Sequence, residues 1–237
     1  MQILALSSSR AGGGGYLQTA LPLIRDFLGS RPLSVAFVPF AAVDRDYDRY
    51  TTMVREALAS LPLSIQTADH HNGKEIVQAA DVIMVGGGNT FKLLHDIYDA
   101  GLFELMRDKV VSGTSYIGWS AGSNVAGATI RTTNDMPIIE PRSFTSFNFF
   151  PFQVNPHYIN QNVEGFHGET RDQRLTEFVM LNPGVPVVGL PEGTALLLQE
   201  DQLVYKGAVP GVMFRGAREE IRSELEPGAD LSALLKR

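Results

Sequence analysis

Gly118-Trp119-Ser120-Ala121-Gly122 sets a serine between two glycines at the spacing of a nucleophile elbow, a sharp turn from strand to helix. In such a turn the hydroxyl is thrust out above the sheet in strained backbone, and the glycines leave room for the chain to fold back on itself. The N–H of the next residue, Ala121, then points where an oxyanion would form, at the start of a helix. The chain has no cysteine, so covalent acyl transfer on it requires a hydroxyl nucleophile. A serine hydroxyl needs a base to take its proton, and five histidines are available. His70 and His71 sit in a polar turn with Asn72-Gly73, His95 falls within a helix, and His167 lies in a Gly-flanked loop. His157 follows Asn155-Pro156 in a loop-rich span beyond the elbow, where the proline fixes the local backbone. It is the candidate base. A carboxylate must then hold the imidazole in one tautomer. Asp135 would give the chain order Ser–Asp–His. Glu192 would give Ser–His–Glu, and it stands at the carboxyl end of a strand between Pro191 and Gly193. Both stay open, with Glu192 preferred, and Asp135 could equally bind a substrate ammonium.

Arg171 is oddly placed. It falls at the first helical position after a Thr170 cap, where a positive charge opposes the helix dipole at a cost of about some tenths of a kcal/mol. A guanidinium held there suits an anion, since it grips a carboxylate with two hydrogen bonds. No His/Asp/Glu cluster has ligand spacing, so no metal is expected. No cofactor is expected either. Gly12-Gly13-Gly14-Gly15 is not followed by Gly-Lys-Ser/Thr, and neither it nor Gly86-Gly87-Gly88 has the G-x-G-x-x-G spacing.

The elements that must position these residues alternate. Gln2 to Leu6, Leu33 to Phe40, Leu63 to Thr67 and Asp81 to Val85 read as strands. Helical patterns follow at Leu17 to Leu28, Tyr50 to Leu61, Phe91 to Ala100 (capped by Asn89 or Thr90) and Leu102 to Val111. Strands alternating with helices predict an α/β fold with a mostly parallel sheet flanked by helices. Ligands bind such sheets at the carboxyl ends of the strands, the rim on which Gly88 and Ser120 would both sit. Residues 131 to 168 are irregular, a length that usually signals function. Thr170 with Gln173 forms a capping box. Val185 to Leu190, a hairpin at 194–198 and 203–206, and Val212 to Arg215 complete the strands, and Asp230 to Leu235 a terminal helical turn.

The 237 residues, 44% hydrophobic, suit one domain spanning 1–237. A formal charge of −6, without a basic block, argues against nucleic-acid or anionic-membrane partners. The N-terminus reads as a strand rather than a signal peptide, no run is long enough to span a membrane, and the absence of cysteine suits the cytoplasm. Whether the chain is a monomer or a homodimer is not encoded legibly.

Taken together, Val85-Gly-Gly-Gly-Asn-Thr-Phe91, Tyr116 to Gly122, Arg131-Thr-Thr-Asn-Asp-Met-Pro-Ile138, Asn155-Pro-His157, Gly168-Glu-Thr-Arg171 and Gly189-Leu-Pro-Glu-Gly193 give a chain that resembles the peptidase E (aspartyl dipeptidase) family. The resemblance runs along most of the sequence and is least clear in the last thirty or so residues. It implies a fold similar to the flavodoxin-like class I glutamine amidotransferases, with serine replacing cysteine at the elbow. It also implies Ser120 as nucleophile, His157 as base and Glu192 as third member, with Asp135 also proposed for that place. The implied substrates are dipeptides with N-terminal aspartate. On that basis Gly88 joins Ala121 as an oxyanion donor, Arg171 reads the aspartate side chain, and Asn89 and Asp135 lie near the substrate's polar ends. Two other readings remain: a serine hydrolase of different specificity (an esterase or a cyanophycinase-like aspartyl-polymer hydrolase), and a non-catalytic module that binds a small anion.

Overall fold

A computed structural model describes residues 1–161, 165, 167–216 and 221–236. In chain order its first half comprises β1 (Gln2–Leu6), α1 (Leu21–Leu28), β2 (Leu33–Val38), α2 (Tyr47–Ala57), β3 (Leu63–Thr67), α3 (Gly73–Ala79), β4 (Val82–Val85), α4 (Thr90–Asp99) and α5 (Phe103–Val111). The second half comprises β5 (Ser115–Trp119), α6 (Ala121–Asn124), β6 (Gln153–Pro156), α7 (Arg171–Leu181), β7 (Val187–Leu190), β8 (Ala195–Gln199), β9 (Gln202–Lys206), β10 (Gly211–Phe214) and β11 (Arg222–Leu225). A final 3-10 turn covers Ser232–Leu235.

Strands β3-β2-β4-β5-β1 are parallel in that spatial order, and the β8/β9 hairpin extends the sheet beyond β1 in antiparallel register. Both faces are covered, which is why these strands read as near-continuous apolar runs. Alternate residues serve opposite cores. Ile3, Ala5, Ala36, Val38, Ile83 and Val85 pack under α3, α4 and α5, whereas Leu4, Leu6, Val35, Phe37, Met84 and Trp119 pack under α1 and α2. The chain leaves β2 toward β3 on one side and returns to β4 on the other. The loops after these two strands therefore diverge and open a crevice at their carboxyl ends.

Beside this mostly parallel sheet lies a second, smaller one. β6, β7, β10 and β11 form a separate four-stranded sheet in the order β11-β10-β7-β6, with only β6 and β7 parallel. Val154, Val188, Leu190 and Met213 on one face share the core under α4 and α5. Val187, Val212 and Phe214 on the other are capped by Leu175 and Val179 of α7. The irregular span between the sheets is exposed over most of 131–145 but becomes core beyond it: Phe147, Phe149, Phe150 and Phe152 are buried, and Phe147 stacks on Phe103 with ring centroids 5.2 Å apart. Positions 162–164 and 166 of the span 131–168 lie outside the described residues.

Several element boundaries also differ from expectation, each for a local reason. Leu17 has φ 54°, left-handed backbone that cannot start a helix, so α1 begins at Leu21. Asp46 accepts from the Arg49 N–H and starts α2 three residues early. Asn72-Gly73 opens α3 rather than a plain turn. The polar strand β11 follows β10, which is therefore not the last.

A buried ion pair ties α4 to the loop after β2. Lys92 Nζ lies 2.7 Å from Asp96 Oδ2 and donates to the Phe40 carbonyl, and His95 Nδ1 meets Asp96 Oδ1 at 2.8 Å. Burial pushes the Asp96 carboxyl upward, but the Lys92 and His95 hydrogen bonds hold it below the ordinary carboxylate value. Because its folded-state pKa is depressed, its contribution is present above the unfolded carboxyl's pKa of about 3.9 and is lost as pH falls through the folded value. Asp96→Asn strands the Lys92 ammonium and should cost roughly 3–5 kcal/mol in urea unfolding at pH 7, with the deficit shrinking in acid.

Candidate active site

Ser120 stands at the turn from β5 to α6 with φ 53° and ψ −115°, a conformation of about 1–3 kcal/mol strain in a non-glycine residue. The surroundings enforce it. A Cβ on Gly118 would sit 2.4 Å from the Gly122 carbonyl oxygen, and one on Gly122 would sit 2.2 Å from that of Val85, so both flanking positions exclude any side chain. Ser123 Oγ donates to the Leu6 and Gly118 carbonyls and pins the start of α6 to the ends of β1 and β5.

His157 and Glu192 come from the second sheet. They follow β6 and β7, whose parallel register pairs Pro156 with Leu190, so both side chains emerge at one edge. His157 Nε2 lies 2.9 Å from Ser120 Oγ, and its Nδ1 lies 2.9 Å from Glu192 Oε1. The His157 and Glu192 side chains are 43% and 54% exposed, so water screens the carboxylate more than it would in a sealed relay. His157 also has left-handed backbone, φ 51°. Its N–H donates to Ser7 Oγ at 3.0 Å, while that hydroxyl donates to the Leu190 carbonyl at 2.7 Å. Ser7 thus bolts the end of β1 to both relay strands. Sequence reasoning missed it; its place at the carboxyl end of β1 was the available signal.

Asp135 lies elsewhere. Its Oδ2 accepts from the Thr90 N–H at 2.7 Å and from Thr133 Oγ1 at 3.2 Å, at the N-terminus of α4, where the helix dipole favours a carboxylate. Asn89 caps the same helix through Lys92 N, and its Nδ2 donates to the Met136 carbonyl. It lines a cavity beside Ser120, but both ends of its side chain are engaged.

Two cavities meet at Ser120 and His157. The smaller, about 280 Å³, is lined by Ala121, Asn124, Asp135 and Arg171 among others. Arg171 is half-buried and held by Asn155 Oδ1 at 3.1 Å, and Asn155 is itself fixed by its donation to the Thr132 carbonyl. Burial, then the like charge of Arg174, pulls the Arg171 guanidinium below its ordinary value, yet an arginine stays charged at neutral pH. Among the described residues no carboxylate pairs with it. The larger cavity, about 640 Å³, occupies the crevice between the β2 and β4 loops, with Val43, Met53, Tyr50, Gly87 and Gly88 on its walls. Arg49 at its edge is paired with Asp44 and Asp46.

Gly88 lines the larger cavity with Ser120 and Ala121 the smaller one, and neither backbone N–H has a hydrogen-bond partner among the described residues. Tyr50 donates to the Gly87 carbonyl at 3.0 Å and accepts from Trp119 Nε1 at 3.2 Å. Burial raises the Tyr50 hydroxyl above its ordinary value, so it remains a donor. Of the other histidines, His70 packs on Phe40 between Asp96 and Asp99 rather than in open solvent, and His95 is committed to Asp96. Among the described residues no group of His, Asp and Glu could hold a metal ion, and no helix is long and apolar enough to cross a membrane.

The model of peptidase family S51 matches residues 3–205. A protein of Shewanella sp. (strain ANA-3) called peptidase E is 49% identical over 234 residues, covering 98% of both chains. Another peptidase E, from Shewanella amazonensis, is 46% identical over 236 residues, covering 99% of both. The crystal structure of a peptidase from an acI-B1 actinobacterium superposes with a TM-score of 0.66 over 97% of this chain and 96% of its own, at 18% identity. That likeness extends to the fold.

Proposed function

The chain belongs to peptidase family S51, and from that premise we propose that it is a serine dipeptidase that hydrolyses Asp–X dipeptides through an acyl-enzyme. Ser120 Oγ attacks the carbonyl carbon of the aspartyl residue while its proton passes to His157 Nε2. The negative oxygen formed is held by the Ala121 and Gly88 N–H groups, each such donor being worth about 3 kcal/mol in the transition state. The imidazolium, oriented through Nδ1 by Glu192, gives its proton to the leaving amine. The peptide C–N bond breaks and leaves an ester on Ser120. Water, deprotonated by the same imidazole, then releases aspartate.

The observation that carries this reading is the Arg171 guanidinium, which meets no carboxylate among the described residues and lines a small cavity that opens on the serine–histidine pair. A cavity of about 280 Å³ suits a single small residue. Arg171 would grip its side-chain carboxylate, and Asp135 Oδ1, which carries no hydrogen bond among the described residues, would receive its ammonium. The leaving residue would occupy the larger crevice, with Asn89 at its edge. A protein with these partners works on small peptides and needs neither nucleic acid nor membrane, and the cytoplasm, where peptides are recycled, is the compartment we assign.

The decisive assay is hydrolysis of Asp–Leu beside Glu–Leu, Asn–Leu and Leu–Leu. Strong preference for Asp–Leu supports the reading, and equal turnover of all four sinks it. The two carboxylates should separate kinetically. Glu192→Gln should lower kcat roughly a hundredfold, less than for a fully buried relay carboxylate. Asp135→Asn should raise KM about tenfold, with a smaller effect on kcat. A reversal of the two patterns would move the orienting role to Asp135.

A further inference from the structure

Three consecutive glycines, Gly86 to Gly88, each give way to a different neighbour. A Cβ on Gly86 would meet Tyr50 Oη at 2.6 Å, one on Gly87 would meet Ser120 Cβ at 2.8 Å, and one on Gly88 would meet the Ala41 carbonyl oxygen at 2.3 Å. The turn is therefore clamped between Tyr50, the serine and the loop after β2. Close packing alone does not orient the Gly87–Gly88 peptide. With no Cβ on either side and Gly88 at φ 138°, that peptide has no side chain to resist a flip. One flip would turn the Gly87 carbonyl oxygen toward the place where negative charge develops.

The Tyr50 hydroxyl opposes the flip. It donates to the Gly87 carbonyl, its own lone pair being occupied by Trp119 Nε1–H. In a trans peptide the C=O and the following N–H point in opposite directions, so a carbonyl drawn to Tyr50 sends the Gly88 N–H away from it. We propose that Tyr50 is a positioning residue: its hydroxyl fixes the Gly87–Gly88 peptide so that the Gly88 N–H is presented to the oxyanion. The inference rests on Ser120 as nucleophile but not on the aspartate specificity. Tyr50 touches no reacting atom in this role.

Tyr50→Phe tests it, because the ring keeps its edge-on packing against Phe37, with centroids 5.0 Å apart, and the substitution removes the hydroxyl alone. Phosphonylation of Ser120 by a fluorophosphonate also builds negative charge on an oxygen held by the same N–H groups. Its second-order rate should fall roughly ten- to a hundredfold, short of complete loss of an oxyanion donor. For Asp–Leu, kcat should fall in step while KM stays within about twofold. An unchanged labelling rate, or a rise in KM at constant kcat, overturns the proposal. If the wild type takes the probe on Ser120 yet cleaves no Asp–X dipeptide, the specificity reading fails while the labelling comparison still decides the role of Tyr50. If Ser120→Ala is labelled as fast as the wild type, the nucleophile assignment falls and this proposal with it.

Discussion

Ser120→Ala is expected to lower kcat/KM for Asp–Leu by roughly 10⁴–10⁶, the range seen when a nucleophile is removed from a relay that works as a unit. The residual rate would come from the two backbone donors and from binding, neither of which the substitution touches. Stability should change by no more than about 1 kcal/mol, since the substitution removes one partly exposed hydrogen bond, that to His157. Alanine inherits the same strained backbone. Pairing His157→Ala with Ser120→Ala in a double-mutant cycle should give almost no additional loss, because an imidazole without a hydroxyl to deprotonate has nothing to do. Multiplying losses would mean that the two side chains work separately. A full-rate Ser120→Ala enzyme would remove the hydrolase mechanism altogether.

Arg171→Met is the second large effect. The thioether has a shape similar to the aliphatic stem but no charge, so the small cavity would keep much of its volume and lose its anion grip. Asp–Leu hydrolysis should fall about a thousandfold, since a site built around a charged hydrogen-bonding partner discriminates by several kcal/mol once that partner is missing. Hydrolysis of a neutral acyl ester should change by less than about fivefold, because the serine, the imidazole and the backbone donors stay where they were. The preference for Asp–Leu over Asn–Leu should collapse in the same variant. Parallel losses on dipeptide and ester would show that Arg171 supports the architecture through Asn155 and does not read the substrate.

Much of the scaffold was legible because local signals agreed. The β4–Gly–Gly–Gly–Asn–α4 unit announces itself through an apolar run, a glycine turn and an asparagine cap, and Asn89 does accept from the Lys92 N–H. The Thr170–Gln173 capping box forms in both directions. What escaped depends on long-range packing that no local pattern encodes. β6 and β7 are four-residue buried runs, and nothing in them says which sheet they join. β11 has only one buried residue and no apolar alternation. The short helix α3 hid behind Asn72-Gly73, which reads as a turn.

The candidate site divides along the same line. Ser120 is marked by the glycines two residues away, and Glu192 by its place just past a strand, both short-range signals. The competition between Glu192 and Asp135 could not be resolved along the chain, because it turns on which carboxylate lies beside His157 Nδ1. The structure places Glu192 there, and puts Asp135 on the Thr90 N–H. Ser7 and Tyr50 carried no motif at all, and Asn155 stood in Asn155-Pro-His157 only as a neighbour of the candidate base. Each acts by holding another residue, and such a role exists only once distant segments meet.

The serine travels with one sheet and its imidazole with the other, and the edge they share is fastened by the Ser7 hydroxyl and, deeper, by the Asn124 amide on the Val154 carbonyl. Proton transfer across 2.9 Å tolerates only tenths of an ångström of misalignment, whereas the hydrophobic seam beneath tolerates far more before it opens. On warming, turnover should therefore fade first and spectroscopic signs of melting lag behind, an order that parallel activity and circular-dichroism melts would check.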